Sequence, residues 1–477
     1  MTKRPAGSAR NGLFCGNAAL GTRRALSGPH NVTVSIFQRA RRSRVSVSLF
    51  LSTMTCLGRA AAADTAAPER APVGALLHDP ARLDAWLGQH SPALRAARAR
   101  VAQSSAEARA SRLIQNPVLD ASLSNVPLGE SNPPGLSFGE TAIYTVGISQ
   151  TVELGKRGAR IDAADLRHQS AGLQLQASRR DALSDARLAL ANALRRNLRL
   201  AILKETLKDA ERASELERTR YEQKALSGTD YDRLLLDLTS LRADLGREES
   251  EYRAALAECA AALGAECNLE GARSEDLEAA VPVDALSAGP AELERRPDLK
   301  ALDAERRAAE RDADLARARA IPDLTLRVGY THDRFVISGD NPNTLSVGLA
   351  LPLPVFDRGQ HDATKALGRA DELRELRAAQ LLADRAELSG LLSRRAAVEK
   401  TLADLEHDSL PRSSSVLDST QQAFDHGGVS LTDLILARRT QVALQLNLLD
   451  QRFELFGIRN ALQRLLGNAS GASENKT

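Results

Sequence analysis

The side chains that commonly carry out chemistry do not cluster in this sequence. The eight histidines are scattered over 477 residues, and no set of His, Cys, Asp and Glu has the spacing of metal ligands. The sequence contains neither the glycine-rich loop that binds phosphate nor the G-x-S-x-G turn of serine hydrolases. We therefore predict no catalytic residue, no cofactor-binding residue, no metal ligand and no cofactor. We expect that the protein is not an enzyme.

Two turns nevertheless carry polar side chains at the same spacing. Ser227 precedes Asp230 by three residues, and Ser430 precedes Asp433 by three, at an offset of 203 residues. A Ser-x-x-Asp pair starts a helix, because its side chains satisfy backbone N–H groups of the first turn. Such a turn at the end of a long helical hairpin is an exposed tip that can meet a partner. The matching tip residues are Tyr221, Ala225, Leu226 and Ser227 in the first copy, and Phe424, Gly428, Val429 and Ser430 in the second.

Long helices lead into both turns. The first, Lys156 to about Tyr221, contains no proline and would extend ~100 Å. The second, Asp362 to about Phe424, contains Pro411, which predicts a break or kink. Apolar stripes run along these helices and along the helices that return from the turns. The sequence therefore predicts two long antiparallel helical hairpins, whose returning helices end at Leu263-Gly264 and Leu466-Gly467.

Four short stretches alternate apolar and polar residues, which is typical of strands with one apolar face. The loops inside the two pairs, Pro127–Glu140 and Asp333–Asn343, are rich in Gly, Pro, Asn and Ser. Each pair is about long enough to cross a bilayer, so we favour membrane β-structure over a soluble sheet resting on helices. The apolar positions are Leu119, Ala121 and Leu123; Ala142, Tyr144, Val146 and Ile148; Leu324, Leu326, Val328 and Tyr330; Leu345, Val347, Leu349 and Leu351.

The chain is duplicated. Leu345–Gln360 aligns without a gap with Tyr144–Ala159 at an offset of 201, and Arg358-Gly359 falls on Arg157-Gly158. In the first copy a helix from Ser91-Pro92 to about Gln115 delivers the chain to the strands. We predict a first repeat at 64–267, a linker at 268–290, a second repeat at 291–467 and a disordered tail at 468–477.

The amino-terminal segment is basic and resembles an export signal. The first 63 residues contain ten Lys and Arg and no acid, which leaves 54 basic and 61 acidic residues, a net charge of −7, and no support for nucleic-acid binding. An apolar run, Val45–Leu57, precedes Ala61-Ala62-Ala63, and we predict cleavage after Ala63. Lipidation at Cys56 is an alternative. Cys259 and Cys267 then remain, either as a disulfide or as two thiols.

Four strands cannot close a membrane barrel, because the smallest barrels need about eight. Their edges must therefore pair with other subunits, since lipid cannot satisfy bare backbone groups. Tyr144, Tyr330, Phe138 and Phe335 are the aromatic residues available to anchor the strands at the membrane surface.

The duplicated helix-Pro-strand entry, the strand-to-helix corners and the hairpin tips together resemble the TolC family of outer-membrane efflux proteins. The stretch Leu353–Gln360 is similar to the cobalt-zinc-cadmium resistance (CzcC-like) branch. The resemblance implies a mainly α fold with membrane β-structure: a homotrimer with a twelve-stranded barrel in the outer-membrane lipid and a periplasmic α-barrel of helical hairpins. It also implies that the tips dock onto a periplasmic adaptor (a membrane fusion protein) and an inner-membrane RND pump that exports heavy-metal cations.

By the same resemblance, Asp433 matches an aspartate that lines the constricted periplasmic entrance, where three copies would attract cations. The family's second aspartate is replaced here by Leu436. A role of Asp433 as a helix cap alone is the alternative. Two other functions also stay open: a channel of the same family for drugs or secreted proteins, and a soluble periplasmic coiled-coil scaffold.

Overall fold

The structure is a computed structural model that describes residues 70–130, 134–269, 273, 277, 290–334 and 341–467. All described residues lie within one unit, Thr65–Thr477. The predicted signal peptide, its cleavage site, the tail at 468–477 and Phe335 therefore lie outside the described residues. No described helix combines the length and the apolar character that a membrane-spanning helix requires.

The first half of the chain runs from short helices through a strand pair to a long helical hairpin. Its elements are β1 (Arg70–Pro72), α1 (Val73–His78), α2 (Pro80–His90), α3 (Pro92–Ala110), β2 (Val118–Ser124), α4 (Phe138–Thr141), β3 (Ile143–Val152), α5 (Arg157–Glu222), α6 (Gly228–Leu263) and β4 (Glu266–Asn268). The 66 residues of α5 form one unbroken helix, as the absence of proline predicts.

The second half repeats the order of one helix, two long strands and a long helical hairpin. After a 3₁₀ turn at Pro290–Arg295, its elements are α7 (Pro297–Ala318), β5 (Leu324–Asp333), β6 (Asn343–Ala350), α8 (Gln360–Asp404), α9 (Leu410–Asp425) and α10 (Leu431–Leu466). A π-helical turn, Leu405–Ser409, separates α8 from α9 directly before Pro411. The predicted break is therefore confirmed, because proline cannot donate the hydrogen bond that a continuous α-helix needs there.

The four long strands form one antiparallel sheet in the order β2-β3-β5-β6. Pairing of β3 with β5 joins the two predicted strand pairs, and the edges β2 and β6 run in opposite directions. The register places apolar residues side by side across all four strands, as in the row Leu119, Ile148, Val328 and Val347. Their exposed fractions of 45% to 77% show that this chain leaves the apolar face uncovered.

The helix that delivers the chain to β2 is shorter than the sequence predicts. The prediction that α3 continues to about Gln115 is wrong, because α3 ends at Ala110. Arginines satisfy the carbonyl groups at and beyond its end: Arg160 donates to Ser111 O at 3.0 Å, and Arg157 donates to Arg112 O at 2.8 Å. Since these arginines come from α5, the helix ends early for a tertiary reason.

A hydrophobic core joins α1, α2 and α3 to the middle of the first helical hairpin and to α10. Leu76, Leu87, Leu190 and Leu263 are among its fully or almost fully buried members. A disulfide between Cys259 and Cys267, with Cα atoms 6.2 Å apart, ties the end of α6 to β4. The strand β4 pairs in parallel with β1. The cysteines are therefore paired, which the sequence left open.

Candidate functional site: the tips of the helical hairpins

The first tip connects α5 to α6 through a left-handed residue. Lys224 has φ of 60°. The N–H of Ala225 donates to Arg220 O at 2.8 Å, and the N–H of Lys224 donates to Tyr221 O at 2.9 Å. This pair of bonds is a Schellman motif, which satisfies the last carbonyl groups of α5 and reverses the chain. A lysine occupies the position at which glycine is preferred.

The second tip connects α9 to α10 by the same geometry. Gly427 has φ of 75°, the N–H of Gly428 donates to Ala423 O at 2.7 Å, and the N–H of Gly427 donates to Phe424 O at 3.0 Å. Both chain reversals therefore use the same hydrogen bonds at the same repeat offset. The sequence match between the two turns is a match in backbone structure.

Each returning helix begins with the predicted serine cap. Ser227 Oγ accepts from the N–H of Asp230 at 3.1 Å, and Ser430 Oγ accepts from the N–H of Asp433 at 3.2 Å. Both caps are thus confirmed. In the second, the hydroxyl and the backbone N–H of Ser430 donate to the Asp433 carboxylate. These two bonds lower the pKa of Asp433, which therefore stays ionised at neutral pH.

An apolar cluster holds the two tips against each other. Its buried members, Leu234, Leu431 and Leu434, come from both returning helices. The partly buried side chains of Leu226 and Phe424 pack against this cluster. The tips therefore form one continuous surface rather than two separate loops, and the residues at each end are positioned by contacts with the other hairpin.

Polar contacts reinforce this link between the hairpins. Arg233 Nη1 of α6 donates to Thr432 Oγ1 of α10 at 3.1 Å. One turn farther from the tip, Arg439 of α10 forms an ion pair with Asp237 of α6, whose side chain is only 10% exposed. These residues were not predicted from the sequence, because no local spacing relates positions about 200 residues apart.

The predicted tip residues are accessible to a partner to different degrees. Leu226 and Val429 are half-buried. Asp433 is exposed, and its described hydrogen bonds are those of the helix cap. Leu436, one turn along α10, is 64% exposed. The exposed members of the predicted set are Tyr221, Ala225, Ser227, Gly428 and Ser430.

Among the described residues, no group of three or more His, Cys, Asp and Glu side chains could hold a metal ion. The side chains that stand out instead are arginine–carboxylate pairs between helices, such as Arg439 with Asp237 and Arg296 with Asp384. These groups fix the relative positions of helices, and they provide no open coordination site.

Known proteins match this chain in sequence. A family model described as "Outer membrane efflux protein" matches residues 87–265 and 290–468. The cobalt-zinc-cadmium resistance protein CzcC of Cupriavidus metallidurans is 27% identical over 339 residues, which cover 69% of this chain and 78% of that protein. The nickel-cobalt-cadmium resistance protein NccC of Alcaligenes xylosoxydans is 26% identical over 314 residues, which cover 66% of this chain and 68% of that protein.

Solved structures match the fold over most of the chain. A CusC structure has a TM-score of 0.69 at 18% identity and covers 81% of this chain and 92% of its own. The VceC outer membrane protein of Vibrio cholerae has a TM-score of 0.66 at 20% identity, with coverage of 81% and 96%. The MtrE channel of Neisseria gonorrhoeae, in an open state, has a TM-score of 0.67 at 16% identity, with coverage of 82% and 89%.

Proposed function

Because this chain belongs to the outer membrane efflux protein family, we propose that it exports heavy-metal cations as the outer-membrane channel of a tripartite RND-type system. Its family and its structural neighbours are channel proteins, not enzymes. The observation that carries the choice of cargo is the pair of relatives named for resistance to cobalt, zinc and cadmium and to nickel, cobalt and cadmium. Each of them aligns with about two thirds of this chain.

The proposed assembly is a homotrimer. The sheet ends in β2 and β6, which run in opposite directions, so copies can join edge to edge and continue one antiparallel sheet. Three copies of four strands would make the twelve-stranded barrel. The uncovered apolar face supports an outward orientation toward lipid, because transmembrane barrels place apolar side chains outside and polar ones inside. The long helical hairpins would then form the periplasmic α-barrel.

The proposed adaptor-docking surface consists of the two tips. Their exposed residues lie at the far ends of the helical hairpins, and the apolar cluster between Leu234 and Leu431 fixes their relative positions. Asp433 lies on the same surface, ionised and exposed. In a trimer, three such carboxylates would stand around the entrance and attract cations.

The proposal is tested by measuring growth in the presence of metal salts. The host strain lacks its own metal-export channel and carries the partner adaptor and pump. The wild-type chain should raise tolerance to Co²⁺, Zn²⁺ and Cd²⁺ but not to a panel of drugs. Ala225→Glu and Gly428→Glu should abolish this gain by placing a charge on the docking surface, with trimer level unchanged. Ala243→Glu, at an exposed position of α6 away from the tip, is the control.

Two results would contradict the proposal. Protection against drugs without protection against metals would assign a different cargo to the channel. Loss of the trimer in the two tip variants, while Ala243→Glu assembles normally, would reduce the tips to a structural role.

A further inference from the structure

The polar face of the sheet carries one ion pair at its centre. Arg327 of β5 donates to the Asp120 carboxylate of β2. These strands are not neighbours, because β3 lies between them. The arginine side chain therefore crosses a whole strand, a span of roughly 10 Å between β5 and β2 at about 4.8 Å per strand.

Glycines make this crossing possible. Gly147 lies directly opposite Asp120 in the register, and Gly329 lies directly opposite Gly147. A Cβ at Gly147 would stand 3.1 Å from the Asp120 carboxylate and 3.3 Å from Arg327 Nε. Gly147 and Gly329 are also the only buried residues of the four strands. The ion pair therefore lies directly over the glycine backbone of the sheet, where no side chain intervenes.

The pair accounts for the charge in the middle of the polar face. With His counted as neutral, the four strands contain three charged residues: Asp120, Arg327, and Asp333 at the loop end of β5. Apart from Val118 and Ile143 near strand ends, the rest of this face consists of small or hydroxyl residues. These include the hydrogen-bonded pairs of Thr145 with Thr331 and Thr151 with Thr325. Mid-sheet charge on this face therefore depends on how Asp120 and Arg327 balance each other.

We propose that the Asp120–Arg327 pair sets the ion selectivity of the barrel lumen by keeping its middle electrically neutral. The inference rests on the proposed function, in which the polar face of the sheet lines the lumen of a trimer. Three pairs would then surround one pore. A lone arginine at each site would repel cations and attract anions, because rings of like charge determine selectivity in pores.

Planar-bilayer recordings of the full-length trimer test this by reversal potentials in a KCl gradient. Asp120→Asn leaves three unpaired arginines and should lower the ratio of K⁺ to Cl⁻ permeability by about two-fold or more at 0.1 M salt, where the Debye length is about 10 Å. Arg327→Gln should raise the ratio, and the double variant should return it to the wild-type value. Both shifts should shrink at 1 M salt, where the Debye length is about 3 Å.

Asp362→Asn is the matched control, because it removes the acid of another Asp–Arg pair, Asp362 with Arg319, that joins two elements outside the strands. Unchanged permeability ratios in both single variants, with the wild-type trimer conducting, would overturn the inference and leave the pair a structural lock. A wild-type trimer that does not conduct would overturn the proposed channel function as well, so the two failures are distinguishable.

Discussion

Arg187 provides a sharp test of what stabilises the junction between the two repeats. Its side chain is among the largest that are fully buried, and it lies on α5 against α10. The guanidinium donates through Nη1 to the side chain of Gln463, while Nε and Nη2 have no hydrogen-bond partner among the described residues. Burial lowers the pKa of Arg187, which means that the surroundings disfavour its charge.

We therefore expect Arg187→Met to stabilise the protein when Gln463→Leu is introduced with it. Replacing a buried charge by apolar groups of similar volume is neutral or stabilises by about 1–4 kcal/mol. The reverse perturbation, Gln463→Leu alone, removes the partner and retains the charge. It should destabilise by about 1–3 kcal/mol, since a buried donor is then left unpaired.

Thermal unfolding of the detergent-solubilised protein measures these differences. Trp86 is the single tryptophan, it packs on the core that contains Leu190 and Leu194 of α5, and its Nε1 donates to Leu263 O at 3.2 Å. Its fluorescence therefore reports unfolding of this core. We expect the double variant to melt about 2–6 °C higher than wild type and the single Gln463→Leu variant to melt lower. A lower melting temperature for the double variant would refute the reasoning.

Three further predictions concern the chain reversals at the tips, the stability of the protein at low pH and the block of the proposed channel entrance by cations. Lys224→Gly should stabilise by about 1 kcal/mol because it relieves a left-handed lysine, while Gly427→Ala should destabilise by a similar amount; thermal melting of both variants checks the opposite signs. Asp298 has a pKa lowered to about 2: although burial opposes ionisation, hydrogen bonds and charge from Arg296 and Arg180 outweigh it. The contribution of ionised Asp298 to the free energy of unfolding should be complete above pH 4 and lost as pH falls toward 2. In Asp298→Asn, the free energy of unfolding should therefore fall less over this pH range, which acid-unfolding curves measure. In single-channel recordings, Asp433→Asn should relieve block by millimolar divalent cations; an unchanged block would leave Asp433 as a cap alone.

The sequence alone determined the elements whose signals are local. Alternation with a period of two marks the four long strands, because successive side chains point to opposite faces. The caps at Ser227 and Ser430 were predictable, since a cap is made within four residues. The helix break before Pro411 is equally local, because proline affects its own turn. The internal duplication then implied that both halves fold alike.

Only the tertiary structure decided which elements meet. The end of α3 at Ala110 depends on arginines of α5, and the Cys259–Cys267 bond depends on the way β4 returns beside α6. Asp120 and Arg327 meet across 207 residues because β5 pairs with β3, which places both side chains over Gly147. Strand pairing and burial arise from contacts between distant segments, and no spacing within one segment records them.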